Sequence, residues 1–186
     1  MATQPELVLL TAEQFLRIDF GSDVKAELDN GVIRMMAGGT VAHARVQMNL
    51  YGFLRRALRG SGCRPFGSDM AIRTHSGSVR YPDVSIDCGG DRDTSDEAKA
   101  LDDPKVAIEI LSPSTRREDE GVKLSEYRLV PTIDTIVFVD PLAERMRVLQ
   151  RTGPDAWSDR TYQEPADLTV PALGLVIPHV EIFARD

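Results

Sequence analysis

The chain has 186 residues, 42% of them hydrophobic and 27% charged, which suits one folded domain over residues 1–186 with a sizeable core. Its net charge of −7 weighs against a dedicated binder of nucleic acid, because phosphate contacts dominate that affinity. No apolar run approaches the roughly 20 residues of a membrane span, and Met1–Leu10 lacks the basic start of an export signal, so a soluble cytoplasmic protein with no membrane partner is expected.

In chain order, Thr11-Ala12-Glu13-Gln14 has the spacing of a capping box and predicts a short helix over 12–18. Val24–Asp29 reads as a strand, Asn30-Gly31 as a type I′ turn and Val32–Met36 as the return strand, a β-hairpin near the N-terminus. Thr40 can cap the next helix, in which Val41, Ala44, Met48, Tyr51, Leu54 and Leu58 recur at three- and four-residue steps and Gly60 stops the run. Arg45, Arg55, Arg56 and Arg59 sit off that stripe, and Arg64 follows closely; they are either a solvated face or a ligand-facing one. Cys63 and Cys88 form no CxxC motif and read as reduced, partly buried thiols.

Strands are predicted at Met70–Thr74 and Val79–Ile86, joined by a turn at His75–Ser78. Gly89–Asp103 is polar and acidic, an exposed loop with one helical turn. Lys105–Leu111 is a short, nearly continuous apolar run, the pattern of a strand covered on both faces. Ser112-Pro113-Ser114 ends it, and Thr115-Arg116-Arg117-Glu118 opens a helix to about Arg128 as a second capping box. Thr135–Val139 is a further buried strand closed by Asp140-Pro141, and Arg145–Gln150 alternates beside it. The remainder, with Trp157 and strand-like pieces near Tyr162, Leu168 and Glu181, reads as a β-rich finish. Two buried strands flanking a helix make a βαβ-like unit inside an otherwise antiparallel set, an α/β (α+β) architecture.

Three features carry chemistry. Pro82 belongs at a strand start or edge, so Asp83 stands at the head of a strand behind a rigid residue. Glu109 is a carboxylate inside an apolar strand, and its burial costs several kcal/mol unless a cation or metal offsets the charge. Asp119, Lys123 and Tyr127 follow at i, i+4 and i+8 and share one helix face, which brings Lys123 toward Glu109; the plain alternative is an Asp119–Lys123 pair in water. Two acids and a lysine suit a hydrolytic magnesium site. Carboxylates are the hard oxygen ligands Mg²⁺ prefers, and it keeps waters for reaction. Lysine adds positive charge where a phosphodiester transition state gathers negative charge. The plain alternative for Glu109 is a structural ion pair.

The succession Ala26-Glu27-Leu28-Asp29-Asn30-Gly31, Tyr81-Pro82-Asp83-Val84, Glu109-Ile110-Leu111-Ser112-Pro113-Ser114-Thr115, Asp119…Lys123…Tyr127 and Val137-Phe138-Val139-Asp140-Pro141 resembles the Uma-type family named for restriction endonucleases, part of the PD-(D/E)XK nuclease superfamily. The resemblance implies a restriction-endonuclease-like mixed β-sheet flanked by helices. It also implies an endonuclease hydrolysing phosphodiester bonds in DNA with Mg²⁺ or Mn²⁺. Asp83 and Glu109 correspond to the metal-binding acids, Glu27 to a further family acid and Lys123 to a catalytic lysine. The superfamily's usual lysine position, two residues after the glutamate, is Leu111 here. His43 stands where family members often carry histidine, although a capping or solvent-facing histidine fits equally, and His75 and His179 read as structural or exposed. His43, Arg45, Arg55, Arg116 and Arg117 are the expected contacts to nucleic acid, and a homodimer is expected because cutting two strands needs two sites. The family's acid–aromatic pair before the Val-Asp-Pro strand is missing from Leu129–Ile136. A non-catalytic nucleic-acid or protein interaction module keeping the nuclease fold is the alternative.

Overall fold

The computed structural model describes residues 9–21, 24–36, 38–89, 96–113 and 116–185. Helix α1 (Ala12–Arg17) begins with both hydrogen bonds of the expected capping box, between Thr11 and Gln14. The hairpin follows as β1 (Ala26–Asp29) and β2 (Val32–Met35). Asn30 and Gly31 both take positive φ, at 47° and 84°, as a type I′ turn requires. Helix α2 (Val41–Ala57) is capped by the Thr40 side chain, which accepts from the His43 backbone N–H.

The six-stranded sheet has the order β10-β9-β8-β7-β6-β3. It comprises β3 (Arg64–Gly67), β6 (Val84–Asp87), β7 (Pro104–Ile110), β8 (Thr135–Asp140), β9 (Arg145–Gly153) and β10 (Ala156–Tyr162). Only the β7–β8 pair is parallel, and its crossover is the helical segment between them. That segment runs as α3 (Arg116–Glu118), a π-helical stretch (Asp119–Lys123) and α4 (Leu124–Arg128). A second sheet, ordered β2-β1-β5-β4, adds β4 (Ile72–Arg73) and β5 (Val79–Arg80) to the hairpin. The chain finishes with the pair β11 (Leu168–Val170) and β12 (Leu175–Ile177), then α5 (His179–Ile182).

Strand β7 explains the layering. Its side chains alternate, so Val106, Ile108 and Ile110 join the core under α2, α5 and β11–β12. Ala107 and Leu111 join the opposite core, with Leu124 and Tyr127 of α4. Glu109 has the parity of Ala107 and Leu111, so it points toward the crossover helix rather than toward α2. A third cluster packs α1 on the four-stranded sheet through Phe15, Leu16, Leu28 and Val79.

Several expectations are corrected. The predicted strand Val79–Ile86 is two strands in two sheets, β5 and β6. Pro82 has no N–H for a ladder, so the chain crosses between sheets at Tyr81-Pro82-Asp83. The buried line of α2 is Val46, Leu50 and Leu54, continued by Leu58 at the C-cap. Val41 and Met48, from the predicted stripe, are exposed at 82% and 66%. The two lines share Leu54 and Leu58, and the choice between them lies in which one meets the sheet. Cys63 and Cys88 are joined by a disulfide rather than left as thiols. β3 and β6 pair with Arg64 opposite Asp87, which sets Cys63 beside Cys88. Strand β3 itself escaped the sequence reading because it is short and holds Pro65, which an edge strand tolerates. Glu181, read as strand, lies in α5. The second capping box rests on Thr115, outside the described residues.

Candidate functional site

Four elements converge on one cleft of about 290 Å³, whose lining includes His43 and Gln47 of α2, Asp83, Glu109, Asp119 and Lys123. Asp83 is placed by the sheet-to-sheet crossing and held at both ends. Its Oδ2 accepts from the backbone N–H of Ile110 at 2.7 Å, and its carbonyl accepts from the Gln47 side chain at 2.8 Å. Ile110 follows Glu109, so one backbone hydrogen bond ties the two acids together. His43 Nε2 lies 3.2 Å from the same Asp83 oxygen. That hydrogen bond and the Asp83 charge raise the His43 pKa above the usual value, against partial burial.

Glu109 is 3% exposed. Its Oε1 accepts from the Tyr127 hydroxyl at 2.6 Å and from Lys123 Nζ at 3.2 Å. Burial pushes the Glu109 carboxyl up to about 8; Lys123 opposes this, while the charges of Asp83, Asp119 and Glu27 add to it. Burial and the same acid raise the Tyr127 hydroxyl well above the ordinary range. Oε2 of Glu109 and Oδ1 of Asp83 accept no hydrogen bond among the described residues.

Lys123 sits among three acids, at 3.0 Å from Glu27, 3.2 Å from Glu109 and 3.3 Å from Asp119. Burial alone would lower its pKa, but Glu109, Glu27 and Asp119 overturn that and keep the ammonium charged. Glu27 reaches this group from β1, and its Oε1 also accepts from the Tyr81 backbone N–H at 3.1 Å.

The residue that sequence reasoning missed is Arg80. It is fully buried and binds Glu126 at 2.6 Å, Asp29 at 3.0 Å and Glu27 at 3.2 Å. Burial lowers its pKa and Glu126, Glu27 and Asp29 more than restore it, so it stays charged. The only signal in the sequence was an arginine within an apolar strand pattern, the counterpart of Glu109. Carboxylates therefore outnumber cations here: Glu27, Asp29, Asp83, Glu109, Glu118, Asp119 and Glu126 face Arg80, Lys123, Arg34 at Asp29 and, when protonated, His43.

The expected nucleic-acid contacts are scattered. Arg45 is half-buried, with an Nε that has no hydrogen-bond partner. Arg55 lines a different cleft, about 18 Å along α2 from His43 by helix rise. Arg116 pairs with Asp140, and Arg117 is exposed. His75 is exposed, and His179 contacts the Glu144 carbonyl and the Phe183 ring. Among the described residues no group of three or more His, Cys, Asp or Glu side chains converges as metal ligands. No helix among them is long and apolar enough to cross a membrane.

Comparison with known proteins gives the same outline. "Uncharacterized protein sll1609" of Synechocystis sp. is 28% identical over 150 residues, covering 80% of this chain and 85% of that protein. "Uncharacterized protein slr1290" of the same organism is 26% identical over 167 residues, covering 89% and 87%. A crystal structure described as "a putative nuclease belonging to DUF820" from Anabaena variabilis superposes with a TM-score of 0.75 at 18% identity, covering 94% of this chain and 98% of that one. At that identity the likeness shows the fold, a mixed sheet flanked by helices. The Uma2 family, described as "Putative restriction endonuclease", matches residues 12–179, and the chain belongs to that family.

Proposed function

We propose that the protein is a divalent-metal-dependent endonuclease that hydrolyses phosphodiester bonds in DNA. The observation that carries this reading is the pair Asp83–Glu109. The two acids are locked together through the Ile110 N–H, they line one cleft, and each has one carboxylate oxygen that accepts no hydrogen bond among the described residues. Two protein carboxylates are what Mg²⁺ commonly takes, with waters filling the other positions. The burial and crowding of carboxylates that raise Glu109 are what a bound divalent cation would relieve. Asp83 and Glu109 would hold Mg²⁺ or Mn²⁺, which supplies charge stabilisation at the phosphoryl oxygens and a more acidic bound water.

The remaining work falls to the chain's own residues. Tyr127 and Lys123 hold Glu109 by Oε1. Lys123 keeps a positive charge at the cleft wall, where it stabilises negative charge developing on the phosphate. Glu27 holds that ammonium in place and is itself fixed by Arg80 and the Tyr81 N–H. His43 orients Asp83, and in its protonated form it can pass a proton to a leaving oxygen. Family membership supports the nuclease reading, and a homodimer remains part of the proposal because cutting both strands of a duplex needs two such sites.

Calorimetric titration with Mn²⁺ tests this, comparing wild type with the near-isosteric Asp83→Asn and Glu109→Gln, alongside cleavage of supercoiled DNA. The expected result is saturable binding by wild type, at least tenfold weaker binding by both variants, and metal-dependent cleavage that both abolish. A folded wild type that binds no divalent metal would leave Glu109 as an ion-pair residue and favour the interaction-module reading.

A further inference from the structure

A second and larger cleft, about 570 Å³, opens where the C-terminal end of α2 meets β3; Tyr51, Arg55, Arg59, Cys63, Arg64 and Phe66 are among its walls, and among the described residues no carboxylate is. Arg55, Arg59 and Arg64 are exposed and make no ion pair among the described residues, whereas Arg56 beside them is within 3.6 Å of Glu181. Three guanidinium groups without an ion pair among the described residues surround one concavity, a concentration of positive charge on a chain of net charge −7. The disulfide fixes one wall, because Cys63 immediately precedes Arg64 and is bonded to Cys88 at the end of β6.

The two clefts are joined by one face of α2. Ala44 and Gln47 line the acid–lysine cleft, and Tyr51, Arg55 and Leu58 line the basic one. At roughly 100° per residue these five positions fall within about 80° of arc. Gln47 and Arg55 are about 12 Å apart along the axis, the axial span of three to four phosphates on one strand at about 3.4 Å each. Arginine forks match phosphate oxygens, and the rings of Tyr51 and Phe66 give bases a surface to stack on.

We propose that the Arg55–Arg59–Arg64 cleft is a phosphate-backbone subsite, holding the nucleic-acid strand that runs along α2 from the acid–lysine site. This rests on the nuclease reading for the identity of its ligand. Guanidinium groups without carboxylate partners take phosphate oxygens, and the helix face aligns the subsite with the reacting phosphate several nucleotides away. Strand engagement here anchors the substrate without contributing to bond cleavage directly.

The test is fluorescence anisotropy with labelled single- and double-stranded oligodeoxynucleotides, in chelator and over a salt series. The proteins are wild type, Arg55→Gln/Arg59→Gln, Arg64→Gln and the control Arg17→Gln on α1, each checked by circular dichroism. The slope of log K against log salt should fall by roughly 0.7–0.9 for each phosphate contact removed. The double variant should bind at least tenfold more weakly, and the control should match wild type. Unchanged slopes in the cleft variants, an equal loss in the control, or inorganic pyrophosphate binding there without any oligonucleotide binding would each overturn the subsite. Metal titration and cleavage are read separately. A cleft that binds strand in a protein that takes no metal leaves the subsite standing and removes the nuclease reading. Metal-dependent cleavage with unchanged slopes does the reverse.

Discussion

Arg80 and Glu109 are the two side chains whose burial is hardest to account for one at a time. Arg80 is 0% exposed and Glu109 3%; Arg80 is tolerable because three acids bring opposite charge to it, and Glu109 because Tyr127 and Lys123 donate to it and burial favours its protonated form. Removing one partner from such a network leaves the rest uncompensated. Arg80→Met is expected to cost about 3–5 kcal/mol in urea denaturation, since Glu27, Asp29 and Glu126 lose their shared cation. Glu109→Gln is expected to act in the opposite direction when no metal is present. The folded carboxyl is raised to about 8 from 4.5, so the folded state binds its proton more tightly than the unfolded one, and stability falls as pH rises through that window. A glutamine mimics the protonated form, keeping acceptors for Tyr127 and Lys123. In chelator the variant should match wild type near pH 4.5 and exceed it near pH 8, while metal binding is lost. Equal stability of the two proteins across that window would contradict the assignment of the raised carboxyl to Glu109.

Among the elements, those with a local cause were legible and those without were not. The capping box of α1, the Asn30-Gly31 turn and the apolar run of β7 each follow from chemistry within a few residues. Gly31 is constrained twice, by the turn it makes and by the distant segment that packs on it. Its φ is 84°, and an added Cβ would lie 2.7 Å from Leu9 Cβ and 3.3 Å from the Leu10 backbone. Gly31→Ala is therefore expected to destabilise by about 2 kcal/mol, from left-handed backbone cost plus displacement of the preceding chain; a melting temperature equal to wild type would refute this. The π-helical stretch Asp119–Lys123 had no sequence signal, although the i, i+4, i+8 spacing brought Asp119 and Lys123 together all the same. The burial line of α2 was misjudged because two adjacent stripes are both apolar enough, and only contact with the sheet distinguishes them.

At the scale of the whole molecule, the disulfide and the two sheets decide what the elements enclose. The Cys63–Cys88 link closes a span of 25 residues and should stabilise by about 3 kcal/mol through the unfolded chain. Reduction, or Cys63→Ser with Cys88→Ser, is expected to lower the urea midpoint by that equivalent without changing the fold; an unchanged midpoint after verified reduction would argue against the cross-link in solution. Sequence by itself determined the mixed α/β class, the βαβ-like unit and the hairpin, because periodicity, caps and turns are set by neighbouring residues. It also picked out Glu109, since a carboxylate in an apolar run signals its own cost. The partners of that carboxylate were a different matter. That Tyr127 and Lys123 meet on one oxygen of Glu109, that Asp83 is pinned by the amide after Glu109, and that Arg80 gathers Glu27, Asp29 and Glu126 are facts of tertiary structure alone. Charges distant in the chain interact only once the crossing at Pro82 and the parallel β7–β8 crossover have brought their elements together, and no local pattern encodes that distance.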